Sequence, residues 1–73
     1  MIVDVYVFKT DISSASLVDS IMPLFNAHPY ITDWSVDFED IDNVLRVISN
    51  REIEEEIIEI AQRKGFTCYP LPD

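Results

Sequence analysis

An α+β sandwich, with strands and helices in the order β-α-β-β-α-β, is the fold class that the hydrophobic periodicities of this chain predict. Three observations carry it. Two segments repeat their apolar residues at helical spacing, four short segments are rich in β-branched and aromatic residues, and the two kinds alternate in a fixed order. The chain has 73 residues, enough for one small core and no more, so residues 1–73 are expected to form a single domain.

The first element is IVDVYVF, Ile2 to Phe8, too short for a helix and apolar on both alternating sets apart from Asp4. It predicts a central strand with Val3, Val5 and Val7 toward the core and Asp4, Tyr6 and Phe8 on the opposite face. TDISSAS follows, a polar turn in which Asp11, Ser13 or Ser14 is placed to cap a helix; Ser13, Ser14 and Ser16 read as capping and surface residues rather than an anion site, since Asp11 lies beside them. Val18, Ile21, Met22 and Phe25 then fall at i, i+3, i+4 and i+7, widened by Ala15, Leu17 and Leu24, which is the stripe of a core-facing helix. Pro23 interrupts it, and a kink or an end near Ser20 is expected.

From Ile31 to Glu39, Trp34, Val36 and Phe38 alternate with Ser35, Asp37 and Glu39, the pattern of a strand buried on one face. A polar turn at Asp40, Asp42 and Asn43 joins it to VLRVI, so these two strands form a hairpin with Leu45 and Val47 inward. The second helix has Ser49 and Glu52 spaced as a capping box, a stripe of Ile53, Ile57, Ile60 and Ala61, a Glu59–Arg63 pair, and Gly65 at its end as the left-handed stop. FTCY is a final short strand, ended by Pro70, with a loose tail beyond it. Together these elements make a ferredoxin-like sandwich, a four-stranded antiparallel sheet with two helices on one face.

Composition excludes several functions. With 14 acidic and 5 basic residues the net charge is −9, which repels nucleic acid and anionic membranes. The apolar runs are far shorter than the ~20 residues of a membrane span. The start lacks the basic region and apolar stretch of a secretory signal, and a single cysteine, Cys68, fits a reducing compartment, so a cytoplasmic location is expected. No serine, cysteine or lysine has a recognisable base partner, and one glycine cannot build a phosphate loop, so the chain reads as noncatalytic and without a cofactor. Asp37, Glu39, Asp40 and Asp42 lack the glycine and ligand spacing of a calcium loop and read as a solvated hairpin.

Four stretches also resemble one family. "HPYI" stands where a leucine-proline-glycine-valine turn is common, "WSVDFE" is similar to V-x-V-D-L-E, "RKGF" is similar to an A-G-Y or A-G-F close, and the first strand leads through a loop into a helix. In this order they resemble the heavy-metal-associated domains of copper chaperones and metal-transporting P-type ATPases, over nearly the whole chain, with the "DIDN" turn about one residue longer than usual. The resemblance implies a loop bearing M-x-C-x-x-C, whose thiolates hold Cu(I) or Zn(II). Counting back from Pro29 puts Ile12 at the methionine position, Ser14 at the first cysteine and Leu17 at the second, so both thiols are missing.

Two functions from different classes follow. The first is a protein interaction module, partnered by another protein or by itself as a homodimer, using an uncovered sheet face expected to hold Tyr6, Phe8 and Tyr69, flanked by Val44 and Ile48. The second is a metal carrier that has rebuilt its site from Asp11, His28 or Cys68, alone or across a dimer. Taken singly, His28 reads as a helix-end residue and Cys68 as a small buried apolar one. The acidic face of the second helix is a solubilising surface, or a docking face for a basic partner.

Overall fold

The computed structural model describes residues 3–71; Met1 and Ile2, where the first strand was expected to begin, and Pro72 and Asp73, the end of the expected tail, lie outside it. The elements are β1 (Asp4–Thr10), α1 (Ala15–Asn26), β2 (Ile31–Asp37), β3 (Val44–Ser49), α2 (Glu54–Arg63) and β4 (Cys68–Pro70). The strands form one antiparallel sheet in the order β2-β3-β1-β4. This is the expected ferredoxin-like arrangement. Its thinnest extent, 17 Å between Cα atoms, leaves room for one sheet layer and one helix layer, which pack about 10 Å apart.

The core between these layers holds Phe8, Ile12, Ile21, Phe25, Leu45, Val47, Ile57 and Cys68, all buried. Phe8 is fully buried and Tyr6 packs against the core, whereas Val3 and Val5 are 60% and 56% exposed. The first strand is therefore turned over relative to expectation. Phe8 and Tyr6 do not belong to an open face, and the valines that were expected inside lie there instead. The exchange places the larger rings in the core, where they remove more apolar surface from water than valines would. Tyr6 is fixed further by its hydroxyl, which accepts the amide N–H of Ile53 at 3.3 Å and supplies one of the partners that the start of α2 needs.

That bond also explains why the expected capping box is missing. The helix begins at Glu54, with Ile53 at its cap position and no side-chain cap. Ser49 lies too far upstream; it is fully buried, and its hydroxyl donates to the Arg51 carbonyl at 2.6 Å. Glu54, Glu55 and Glu56 in the first turn and Arg63 in the last complement the helix dipole, and the Glu59–Arg63 ion pair forms as expected. At the far end the N–H of Phe66 bonds to the Ala61 carbonyl and that of Gly65 to Gln62, a Schellman closure with Gly65 at φ +89°.

Helix α1 runs through Pro23 without a break. The amide that proline lacks would have bonded to the Asp19 carbonyl, and both residues are exposed, so the loss falls on the solvent side of the helix. Only Ile21 and Phe25 of the expected stripe are fully buried; Leu17 and Val18 are half-buried, while Ala15, Met22 and Leu24 are exposed. The C-terminal end of α1 is seated on β2: Phe25 meets the Trp34 ring edge-on at 5.2 Å, and the indole N–H donates to Asn26 Oδ1 at 2.9 Å. Strand β2 stops at Asp37, so Phe38 is in the turn and 39% exposed instead of inward. Asp37 and Asp40 carboxylates accept the Glu39 and Asp42 amides, and Asn43, at φ 44°, closes the turn.

Candidate functional site

The loop from Asp11 to Ser14 is held from both sides. Thr10, paired with Cys68 across β1 and β4, donates its hydroxyl to the Asn43 carbonyl at 2.6 Å and accepts the Ile12 amide at 3.1 Å. Asp11 Oδ1 accepts the Thr67 amide at 2.9 Å, which ties the loop to the chain just after α2. Ser14 is the cap of α1, its Oγ accepting the Leu17 amide at 3.3 Å and lying 3.2 Å from Ser16 Oγ.

Each position that the count from Pro29 assigns to the metal motif has a structural task. Ile12 is fully buried in the core, Ser14 caps the helix, and Leu17 packs on the core from its first turn. None presents a soft ligand, so these residues do not fit Cu(I) or Zn(II).

Of the alternative ligands, Asp11 and Cys68 are neighbours across the end of β1 and β4, and His28 is not brought to them. Asp11 precedes α1 and His28 follows it, so the helix of 12 residues, ~18 Å long at 1.5 Å per residue, separates them. His28 Nδ1 accepts the Tyr30 amide at 3.2 Å, and its Nε2 is 2.8 Å from Glu56 Oε2, so both ring nitrogens are engaged, Nε2 joining the end of α1 to α2. Tyr30 stacks edge-on against this ring and is itself covered by the Arg51 guanidinium at 5.0 Å. Cys68 is 2% exposed, in the core as expected. Among the described residues no group of three or more histidine, cysteine, aspartate or glutamate side chains is placed to hold a metal ion.

Burial pushes the Cys68 thiol from its ordinary value of 9.0 up to about 12. In the unfolded chain the thiol ionises near pH 9.0, whereas in the fold it stays protonated until about 12. Unfolding therefore releases a proton in that window, and stability present below pH 9.0 is lost progressively toward pH 12. Desolvation raises the Tyr6 phenol as well, which acts in the same direction above 10.0. Thermal melts are expected to fall on the alkaline side of pH 9.0, and a Cys68→Ser variant to fall less steeply. A disulfide reagent such as DTNB should label Cys68 only as the chain unfolds.

The second candidate is the sheet face that no helix covers. Strand pairing arranges it in rows: Asp37, Val44 and Lys9, with Tyr69 beyond; Ser35, Arg46 and Val7; and Asp33, Ile48 and Val5. Val3, Val5 and Tyr69 are more than half exposed, and Val7, Val44 and Ile48 are partly so. Tyr69, Val44 and Ile48 thus lie where an open face was expected, while Tyr6 and Phe8 do not. Val5, Val7 and Arg46 were missed. Lys9, in phase with the valines, is the signal that could have found them, because a lysine ammonium is rarely buried.

No family model matches the chain, and no curated protein does. Solved structures do. The copper(I)-loaded first domain of the human copper chaperone for SOD1 is similar at TM-score 0.78 and 16% identity, over 96% of this chain and 94% of that one. The yeast copper transporter domain Ccc2a is similar at TM-score 0.78 and 20% identity, over 94% of this chain and 96% of that one. The N-terminal domain of PacS from Synechocystis has TM-score 0.76 and 13% identity, over 94% of this chain and 98% of that one. The chain therefore has the ferredoxin-like fold of the heavy-metal-associated domains, and its single cysteine cannot supply the two-thiol motif that the resemblance implies.

Proposed function

We propose that this domain is a noncatalytic protein interaction module that works through the open face of its sheet. The observation that supports this most is the pairing of two facts. The loop that carries metal in the resembling family is taken up in core packing and capping, while Val3, Val5 and Tyr69 stay exposed on a face that the domain leaves uncovered. Exposed aromatic and aliphatic residues framed by charges are the composition of an interface core with its rim.

Residues 1–73 act as one domain on this reading, in the cytoplasm and without a cofactor. The net charge of −9 turns it away from nucleic acid and anionic membrane, and among the described residues no helix is long and apolar enough to cross a bilayer. A carrier built from Asp11, His28 and Cys68 would need ligands from opposite ends of α1 and a thiol held protonated in the core, and no observation favours it.

Photocrosslinking tests the proposal. Benzoylphenylalanine at position 5 or 69 is expected to give discrete protein adducts on irradiation of cells making the domain, and the same probe at Glu55 on α2 is expected to give none. Adducts from position 55 with none from 5 or 69 would move the working surface to the acidic helix.

A further inference from the structure

Resting on that reading, we infer that the occupant of the open sheet face is a second copy of the chain, packed with a two-fold axis parallel to the strands. The charges on the face carry this. On the strands of that face Lys9 and Arg46 balance Asp33 and Asp37, with Asp42 at the rim 3.5 Å from Lys9, so most of the net charge of −9 lies away from it. Two copies meeting through the helical layer would press together Glu54, Glu55, Glu56 and Glu59, whereas the sheet face, with Asp42 at its rim, is close to neutral.

The charges are also sorted by side. Both acids stand on β2, at one edge of the sheet, and Lys9 stands on β1, two strands away. An axis parallel to the strands, between β3 and β1, keeps the rows aligned and exchanges the two sides. Asp37 of one copy then lies over Tyr69 of the other, beside Lys9, and this contact occurs twice. Ile48 lies over Val5 in the same way, giving an apolar centre. An axis across the strands would instead lay the acidic β2 edge upon itself. The face thus contains its own complement, which is the requirement of an isologous dimer.

Four strands at a spacing of ~4.8 Å give a patch only ~19 Å wide, at the small end for specific interfaces, so the dimer is expected to dissociate in the micromolar range or weaker. Sedimentation equilibrium of the full chain, from micromolar to millimolar concentration, measures it. The mass is expected to rise toward twice the monomer value. Val5→Glu should keep the chain monomeric with an unchanged circular dichroism spectrum, because Val5 is exposed in the isolated fold.

Lys9→Glu and Asp37→Lys should each weaken self-association about tenfold or more, since each makes both contacts like-charged. An equimolar mixture of these two variants should dimerise again, because each contact then pairs opposite charges. A wild-type chain that stays monomeric throughout, or variants that do not rescue one another, overturns the inference. The module reading fails separately, through the crosslinking sites; an adduct heavier than two copies would keep that reading and exclude the dimer.

Discussion

Phe8→Ala is expected to destabilise the domain by ~3–5 kcal/mol, the range for truncating a buried aromatic side chain, while Val5→Ala should change stability by no more than ~1 kcal/mol. The two residues lie on the same strand, and the contrast comes only from the face each occupies: Phe8 is fully buried and Val5 is 56% exposed. At ~0.05–0.15 kcal/mol per residue a chain of this length has ~4–11 kcal/mol in all, so loss of the Phe8 ring removes a large part of it. Urea unfolding followed by circular dichroism measures both variants. Near-complete unfolding of Phe8→Ala beside a normal Val5→Ala is the expected pattern. The reverse order of costs would mean that β1 faces the other way, and would return Tyr6 and Phe8 to the open face.

Why that face was hard to read in the sequence follows from the composition of the strand. In IVDVYVFK both alternating sets are largely apolar, and each carries one charge near an end, Asp4 on one and Lys9 on the other. A slip of one residue exchanges the faces, and period alone does not choose between them. In β3 a charge stands at the centre of one face and decides: Leu45 and Val47 are buried as their alternation with Arg46 requires. Gly65 was similarly legible, because the end of α2 needs a residue at positive φ.

Capping was legible only where the cap is local. Ser14 reaches the Leu17 amide three residues on, whereas the start of α2 is served by Tyr6, 47 residues from Ile53 in the chain, and no local motif encodes such a contact. Pro23 does not end the helix near Ser20, for a related reason: it sits in the last turn of α1 and is exposed, so the lost bond falls on the solvent side.

The metal loop is where sequence and structure bear most directly on chemistry, and replacing two residues tests the correspondence. Ser14→Cys combined with Leu17→Cys is expected to create Cu(I) binding that the wild-type chain lacks, read by competition with a chromophoric Cu(I) chelator under reducing conditions. Residue 14 is the cap of α1 and residue 17 lies in its first turn, close enough that the Ser14 hydroxyl already accepts the Leu17 amide at 3.3 Å. Thiols there gain thiolate character from the helix N-terminus and are soft ligands for a soft ion.

The metal-free double variant should be less stable than wild type by ~2–4 kcal/mol, because it loses the cap, worth ~1 kcal/mol, and part of the Leu17 packing. Copper should reverse that order, since a ligand bound only by the folded state raises its stability with concentration. Ile12 is left in place because it fills the core. Equal competition by the wild-type chain would instead locate a site at residues such as Asp11, His28 or Cys68. A double variant that folds without binding would show that positions 14 and 17 are not the counterparts of the family's cysteines, and that the gap-free count from Pro29 sets the loop in the wrong register.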